Sequence, residues 1–138
     1  MTSELSHEIT LTPAFHDLDP MNVVWHGNYL RYFEQARCAL LARYRYDYPA
    51  MRDSGYLWPV VDLRIKYVQP LHYGQSVLVR ATITEWENRL KIEYLVRDAA
   101  SGRRLTKGYT IQVAVEATSG ELCFVCPPVL WERLGIKP

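Results

Sequence analysis

The sequence predicts an α+β chain in which a five-stranded antiparallel sheet wraps around one long central helix. Three observations carry that prediction. From Asn28 to about Tyr46 the residues follow a helical period and are apolar over most of the circumference. Four later segments alternate apolar and polar residues with a period of two. Between those four segments nothing has the period of a second core helix.

The elements follow in chain order. His7 to Thr12 reads as a half-buried strand, with Ile9 and Leu11 on one side and Glu8, Thr10 and Thr12 on the other. The segment FHDLDPMNVVWHGN then breaks all periodicity. Asn28 is a good N-cap type, and behind it Tyr29, Phe33, Ala36, Leu40 and Tyr44 share one helical face that Leu30, Ala39 and Leu41 widen. Arg31, Glu34, Gln35 and Arg37 leave only a narrow wet stripe, so something must wrap this helix. The wrapping strands are the alternating runs beginning at Val61, Val77, Leu90 and Leu105, the last extending to Val115. Breaks fall at Gln69-Pro70, Glu87-Asn88, Ser101-Gly102 and Ser119-Gly120, all ordinary turn chemistry. Pro128 to Leu134 forms one short helix that Gly135 ends. A ferredoxin-like fold would need a second core helix, and a sandwich would not hold a buried helix of five turns. A twisted antiparallel sheet curled round one helix meets both burial demands, and that is the hotdog architecture.

Composition narrows the function classes. The 138 residues make one domain, 1–138, without repeats or linkers. Sixteen basic and fifteen acidic side chains are interspersed for a net charge of +1, so no basic face speaks for nucleic acid. An anionic ligand must therefore be held by a few local cations. No apolar run is long enough to span a bilayer, and MTSELSHEIT lacks a signal-peptide pattern, so a cytoplasmic location is the expectation. Ten tyrosines and four tryptophans favour an oligomer or an apolar pocket. Cys123 and Cys126 form a CxxC at the end of an extended stretch. Without further ligands at zinc spacing, or a helix opening on the motif, they read as ordinary thiols.

The chemistry concentrates in FHDLDPMNVVWHGNYLRYFEQAR, Phe15 to Arg37. Two carboxylates, two imidazoles, an indole and a helix start lie within a dozen residues. Asp19-Pro20 suits the start of a helical turn, which would leave the amides of Met21, Asn22 and Val23 free and pointing outward. Such donors polarise a carbonyl, and a carboxylate beside them can act as nucleophile or as general base on water. Thioester hydrolysis needs those two things, with no metal and no cofactor. Asp17 reads as a solvated or capping carboxylate, and Glu34 with Arg37 as an i,i+3 ion pair.

The pattern Asp-x-Asp-Pro-x-x-Val-Val-Trp-His-x-Asn-Tyr, followed by Phe-Glu-x-Ala-Arg, resembles the signature of the 4-hydroxybenzoyl-CoA thioesterase family. The resemblance includes the branch associated with the Tol-Pal genes. Weaker support comes from KYVQPLHYGQ at 66 to 75. It implies a hotdog thioesterase with Asp19 as the catalytic carboxylate and His26 as a second catalytic residue. Trp25 and Tyr29 would line the acyl site, and Asn22, with Val23, would stand beside the carbonyl-polarising amide. Asn22 occupies a position where the family commonly has Gly. The resemblance further implies dimers that pair into homotetramers, with sites at the dimer interface. The DPMNVVWHGNY variant looks like a branch tied to acyl-carrier-protein pathways, so the thiol carrier is CoA or acyl carrier protein. Arg89, just after the Glu87-Asn88 turn, is the cation expected on the carrier's phosphate. The alternative is a non-catalytic acyl-thioester-binding or assembly protein of a biosynthetic complex. A hydratase reading fails because neither hydratase motif is present.

Overall fold

The computed structural model describes residues 5–137. Its strands and helices are β1 (Ser6–Leu11), α1 (Tyr29–Arg43), α2 (Tyr48–Asp53), β2 (Tyr56–Leu57), β3 (Val60–Tyr67), β4 (Val77–Glu85), β5 (Leu90–Asp98), β6 (Arg104–Gln112), β7 (Val115–Glu116) and α3 (Pro128–Leu134). The main sheet runs β1-β4-β5-β6-β3, antiparallel throughout, and β2 pairs with β7 in a small separate ribbon. The five-stranded sheet around one long helix is therefore observed.

Alternation decides which side of each strand meets α1. Val77, Val79, Ala81 and Ile83 of β4 are buried, as are Leu90, Ile92, Tyr94 and Val96 of β5. They close on Tyr29, Tyr32, Phe33, Ala36, Leu40 and Leu41 from the helix. Burial of that much apolar surface, at roughly 25 cal/mol per Å², is what holds helix to sheet. Phe33 stacks flat on Tyr94 with ring centroids 4.3 Å apart. The close approach is possible because Gly108 of β6 faces the Phe33 ring, where a Cβ would come within 2.9 Å. Arg37 is buried on the same helix and donates to Glu34 at 2.8 Å, the expected ion pair.

Three elements differ from expectation. The helix ends at Arg43 rather than Tyr46, because the chain turns at Arg45 with φ of 58° so that Tyr46 can enter the core. The last long strand stops at Gln112, and Val115 pairs instead with Leu57 across the small ribbon. Helix α2 was not expected: Asp47 caps it by accepting from the Ala50 amide at 3.2 Å, and its six residues are too few to show a period. The C-terminal helix is as expected, ended by Gly135 at φ of 70°. Cys126 is buried, and burial together with its neighbour Cys123 pushes its thiol up to about 12, as an ordinary core thiol requires. Among the described residues no helix is long and apolar enough to cross a membrane.

Candidate active site

The strand-to-helix loop is organised by its first carboxylate. Asp17 is buried, which corrects the expectation of a solvated side chain and leaves the capping one. Its Oδ2 accepts from the Ala14 amide at 3.0 Å and from the Tyr32 hydroxyl at 2.7 Å. Its carbonyl accepts from the Trp25 amide and from Asn28 Nδ2, both at 2.9 Å. Asn28 thus stands at the helix start without capping it through its side chain. Burial pushes the Asp17 carboxyl up, but the Tyr32 and Ala14 hydrogen bonds with His16 and Arg31 nearby outweigh it. The net direction is below the ordinary carboxylate value.

The second carboxylate sits differently. Asp19 and Pro20 open a tight turn in which Asp19 Oδ1 accepts from the Met21 amide at 2.8 Å and the Val23 amide at 3.4 Å. The Asn22 amide donates to the Asp19 carbonyl at 2.9 Å. The expected free amides at Met21, Asn22 and Val23 are therefore taken up, because an aspartate side chain closes on backbone two residues ahead. Asn22 adopts φ of 64°, the left-handed conformation that its short polar side chain tolerates in place of a glycine. Asp19 Oδ2 carries no hydrogen bond among the described residues.

Free amides occur five residues further on. His26–Asn28 forms a helical turn running directly into α1. Among the described residues the His26 and Gly27 amides, the first two of that stretch, meet no acceptor. The dipole of the following helix adds to their positive end. Trp25 lies over Gly27, where a Cβ would displace its ring, and that ring tilts against His26 at 5.1 Å.

Asp19 and His26 meet across a groove of about 240 Å³, with Val23, Tyr29, Tyr67 and Val68 also lining it. Tyr29 is buried and accepts from the Leu71 amide at 3.2 Å, and burial pushes its phenol above the ordinary value. Tyr67 meets the Tyr29 ring edge-on at 4.8 Å and donates from its hydroxyl to the His26 carbonyl at 2.8 Å. The structure thus gathers Asp19, Val23, His26 and Tyr29. It leaves Asn22 and Trp25 outside the groove lining, Trp25 half-exposed on the loop's outer side. Arg89 lies in the β4–β5 turn at the opposite end of the strands, forked onto Glu85 at 2.9 and 3.1 Å. Tyr67, Val68, Gln69 and Pro70 were not singled out as site residues. Their signal was the 66 to 75 run, legible as family pattern but not as chemistry.

A carboxylate with one fixed and one free oxygen, sharing an apolar-walled groove with His26 at the start of a helical turn, can activate water or attack a carbonyl. The model of the thioesterase-like superfamily matches residues 13–134. The chain belongs to that superfamily. The Bacillus subtilis (strain 168) protein named "Putative acyl-CoA thioesterase YneP" is 32% identical over 114 residues, covering 79% of this chain and 72% of that protein. Among solved structures, the 1,4-dihydroxy-2-naphthoyl-CoA thioesterase Slr0204 from Synechocystis superposes with a TM-score of 0.84. It is 20% identical, over 94% of this chain and 96% of that one. A 4-hydroxybenzoyl-CoA thioesterase mutant complexed with 4-hydroxybenzoyl-CoA superposes at 0.78 with 18% identity, over 94% and 98%. At those identities the structures carry the hotdog fold, and the family match carries the membership.

Proposed function

We propose that the chain hydrolyses acyl or aryl thioesters to free acid and thiol, with Asp19 as the reacting carboxylate. The observation that carries the reading is that Asp19, whose Oδ2 has no hydrogen bond among the described residues, lines one groove with His26, the first residue of a helical turn whose opening amides meet no acceptor there. The thioester carbonyl oxygen is held by the His26 and Gly27 amides, where negative charge develops in the transition state. Asp19 Oδ2 takes the proton from an attacking water, the C–S bond breaks, and the thiolate leaves to be protonated. Direct attack by Oδ2 would instead give an anhydride with Asp19 that water then opens. A single turnover in heavy-oxygen water separates the two, since only the anhydride route can leave label in the enzyme's carboxylate. The His26 imidazole orients the water or assists the leaving thiolate, and Tyr29 with Val23 forms an apolar wall. The superfamily match and the CoA thioesterases among its relatives support CoA as the thiol carrier; the acyl-carrier-protein form rests on the sequence variant alone.

The working unit is a homo-oligomer. Strand β3 is an edge of the sheet, eight residues long, with Val60, Val61, Leu63 and Tyr67 exposed. An apolar edge of that length invites pairing with a second copy. Tyr67 reaches His26, so the same edge borders the groove. The test is turnover against a panel of acyl- and aryl-CoA thioesters and their carrier-protein counterparts, with light scattering alongside. Hydrolysis by a dimer or tetramer is expected, unaffected by chelators. Binding without turnover would favour the assembly-protein alternative, and a particle of 16.1 kDa at micromolar concentration would remove the interfacial site.

A further inference from the structure

The face of the sheet turned away from α1 carries a groove larger than the Asp19 groove, about 520 Å³. Strand register arranges its lining in two rows. Lys66 of β3 stands directly opposite Lys107 of β6, which is opposite Leu95 of β5, which is opposite Arg80 of β4. One step along the strands, about 7 Å away, Arg64 stands opposite Tyr109, and Tyr109 opposite Glu93. Among the lining residues four cations therefore face one acid, Glu93. Arg80 also holds Ser6 Oγ at 2.9 Å. Among the described residues Arg64, Lys66 and Lys107 have no ion-pair partner. Like charges placed directly across a strand pair weaken a sheet, so the Lys66–Lys107 pair costs stability that no ion pair among the described residues offsets.

A second depression, about 170 Å³, continues this surface past Arg104 to Val68, and Val68 also lines the Asp19 groove. Arg64 is three strand residues, about 10 Å, from Tyr67 at the groove, a span that an extended pantetheine arm exceeds. A second copy of the same cationic face would repel it about a two-fold axis. The volume of this half-open groove, about 520 Å³, is that of a small-molecule site rather than a flat protein interface.

We propose that this outer-face groove binds the phosphorylated adenosine end of coenzyme A, its phosphates on Lys66, Lys107, Arg64 and Arg80. Leu95 and Tyr109 form the apolar floor beneath it. The inference rests on the hydrolysis reading for its ligand but is tested apart from it. Free adenosine bisphosphate, the nucleotide end without the pantetheine arm, is titrated calorimetrically into the full chain and into the double variant Lys66→Gln/Lys107→Gln. The dissociation constant should rise at least about tenfold, with Tm unchanged or higher because the opposed charges are gone. KM for a CoA thioester should rise in parallel at constant kcat, while the matching pantetheine thioester is unaffected. Unchanged nucleotide affinity overturns the proposal. So does equal damage to the pantetheine thioester, or damage confined to a carrier-protein thioester. Were Asp19→Asn to leave turnover intact, the hydrolysis reading would fall while the nucleotide titration still judged the groove.

Discussion

The two halves of the strand-to-helix loop use the same residue type for opposite ends. Around Asp17 a carboxylate is buried and surrounded by donors, so that Ala14, Tyr32, Trp25 and Asn28 are all tied to one residue. Around Asp19, two positions on, the turn is closed by one carboxylate oxygen, the other carries no hydrogen bond among the described residues, and the residue lines the groove. The difference lies in surroundings rather than chemistry. A buried carboxylate that accepts from donors on both the loop and the helix is a fastener; one half-satisfied at a groove is the one proposed to react.

The largest expected effect separates the two directly. Asp19→Asn removes the anionic oxygen but keeps a carbonyl for the Met21 and Val23 amides. Turnover should fall by at least roughly 10²-fold, while Tm stays within a degree or two of wild type. Asp17→Ala should do the reverse. It leaves the Tyr32 hydroxyl and Ala14 amide without their acceptor, costing about 2 kcal/mol and several degrees of Tm, with turnover of the folded fraction largely kept. Steady-state kinetics beside thermal denaturation reads both. Loss of turnover at Asp17 with none at Asp19 would invert the assignment.

Acid sharpens the same contrast. The folded Asp17 carboxyl lies below its ordinary value, so its contribution is complete above that value. It is lost as pH falls through the ordinary carboxylate range toward the folded value. Wild type should therefore lose stability over that interval more steeply than Asp17→Asn. Parallel denaturation curves for the two proteins would show that the Tyr32 and Ala14 bonds do not favour the ionised form.

Much of this was legible in the sequence, and the parts that were not share a physical cause. The sheet, α1 and α3 were readable because each is long enough to repeat its period or ends on a left-handed glycine. Helix α2, β2 and β7 have six residues or fewer and are specified by tertiary contacts such as Tyr46 and Met51. Asp19 and His26 were readable because one short segment holds both. Tyr67 was not, since only the fold brings it 41 residues back to the His26 carbonyl. The Met21 and Val23 amides expected to be free are taken up by the Asp19 side chain and that of Asn22 by the Asp19 carbonyl, a turn closure that residue types alone do not specify.

His26→Ala should have a smaller effect than Asp19→Asn, about tenfold on turnover. The imidazole is exposed, and the substitution keeps the backbone amide and the carbonyl that Tyr67 holds. A lower Tm with unchanged kcat would make His26 a packing partner of Trp25 only.

The smallest effect is expected at the far end of the strands. Arg89 offers the carrier's phosphate a cation that Glu85 already offsets, accepting from Nε and one Nη in an exposed hairpin. An exposed pair of this kind is worth little in either direction. Arg89→Ala should therefore raise KM for CoA thioesters by no more than about twofold, with kcat unchanged. That rise should shrink with added salt and vanish for a pantetheine thioester. An unchanged KM would leave Arg89 to its hairpin. A rise larger than that of the Lys66→Gln/Lys107→Gln variant would move the nucleotide from the outer face to the β4–β5 turn. It would also require the carrier to run the full length of the sheet from Asp19, or to reach Arg89 on a neighbouring copy.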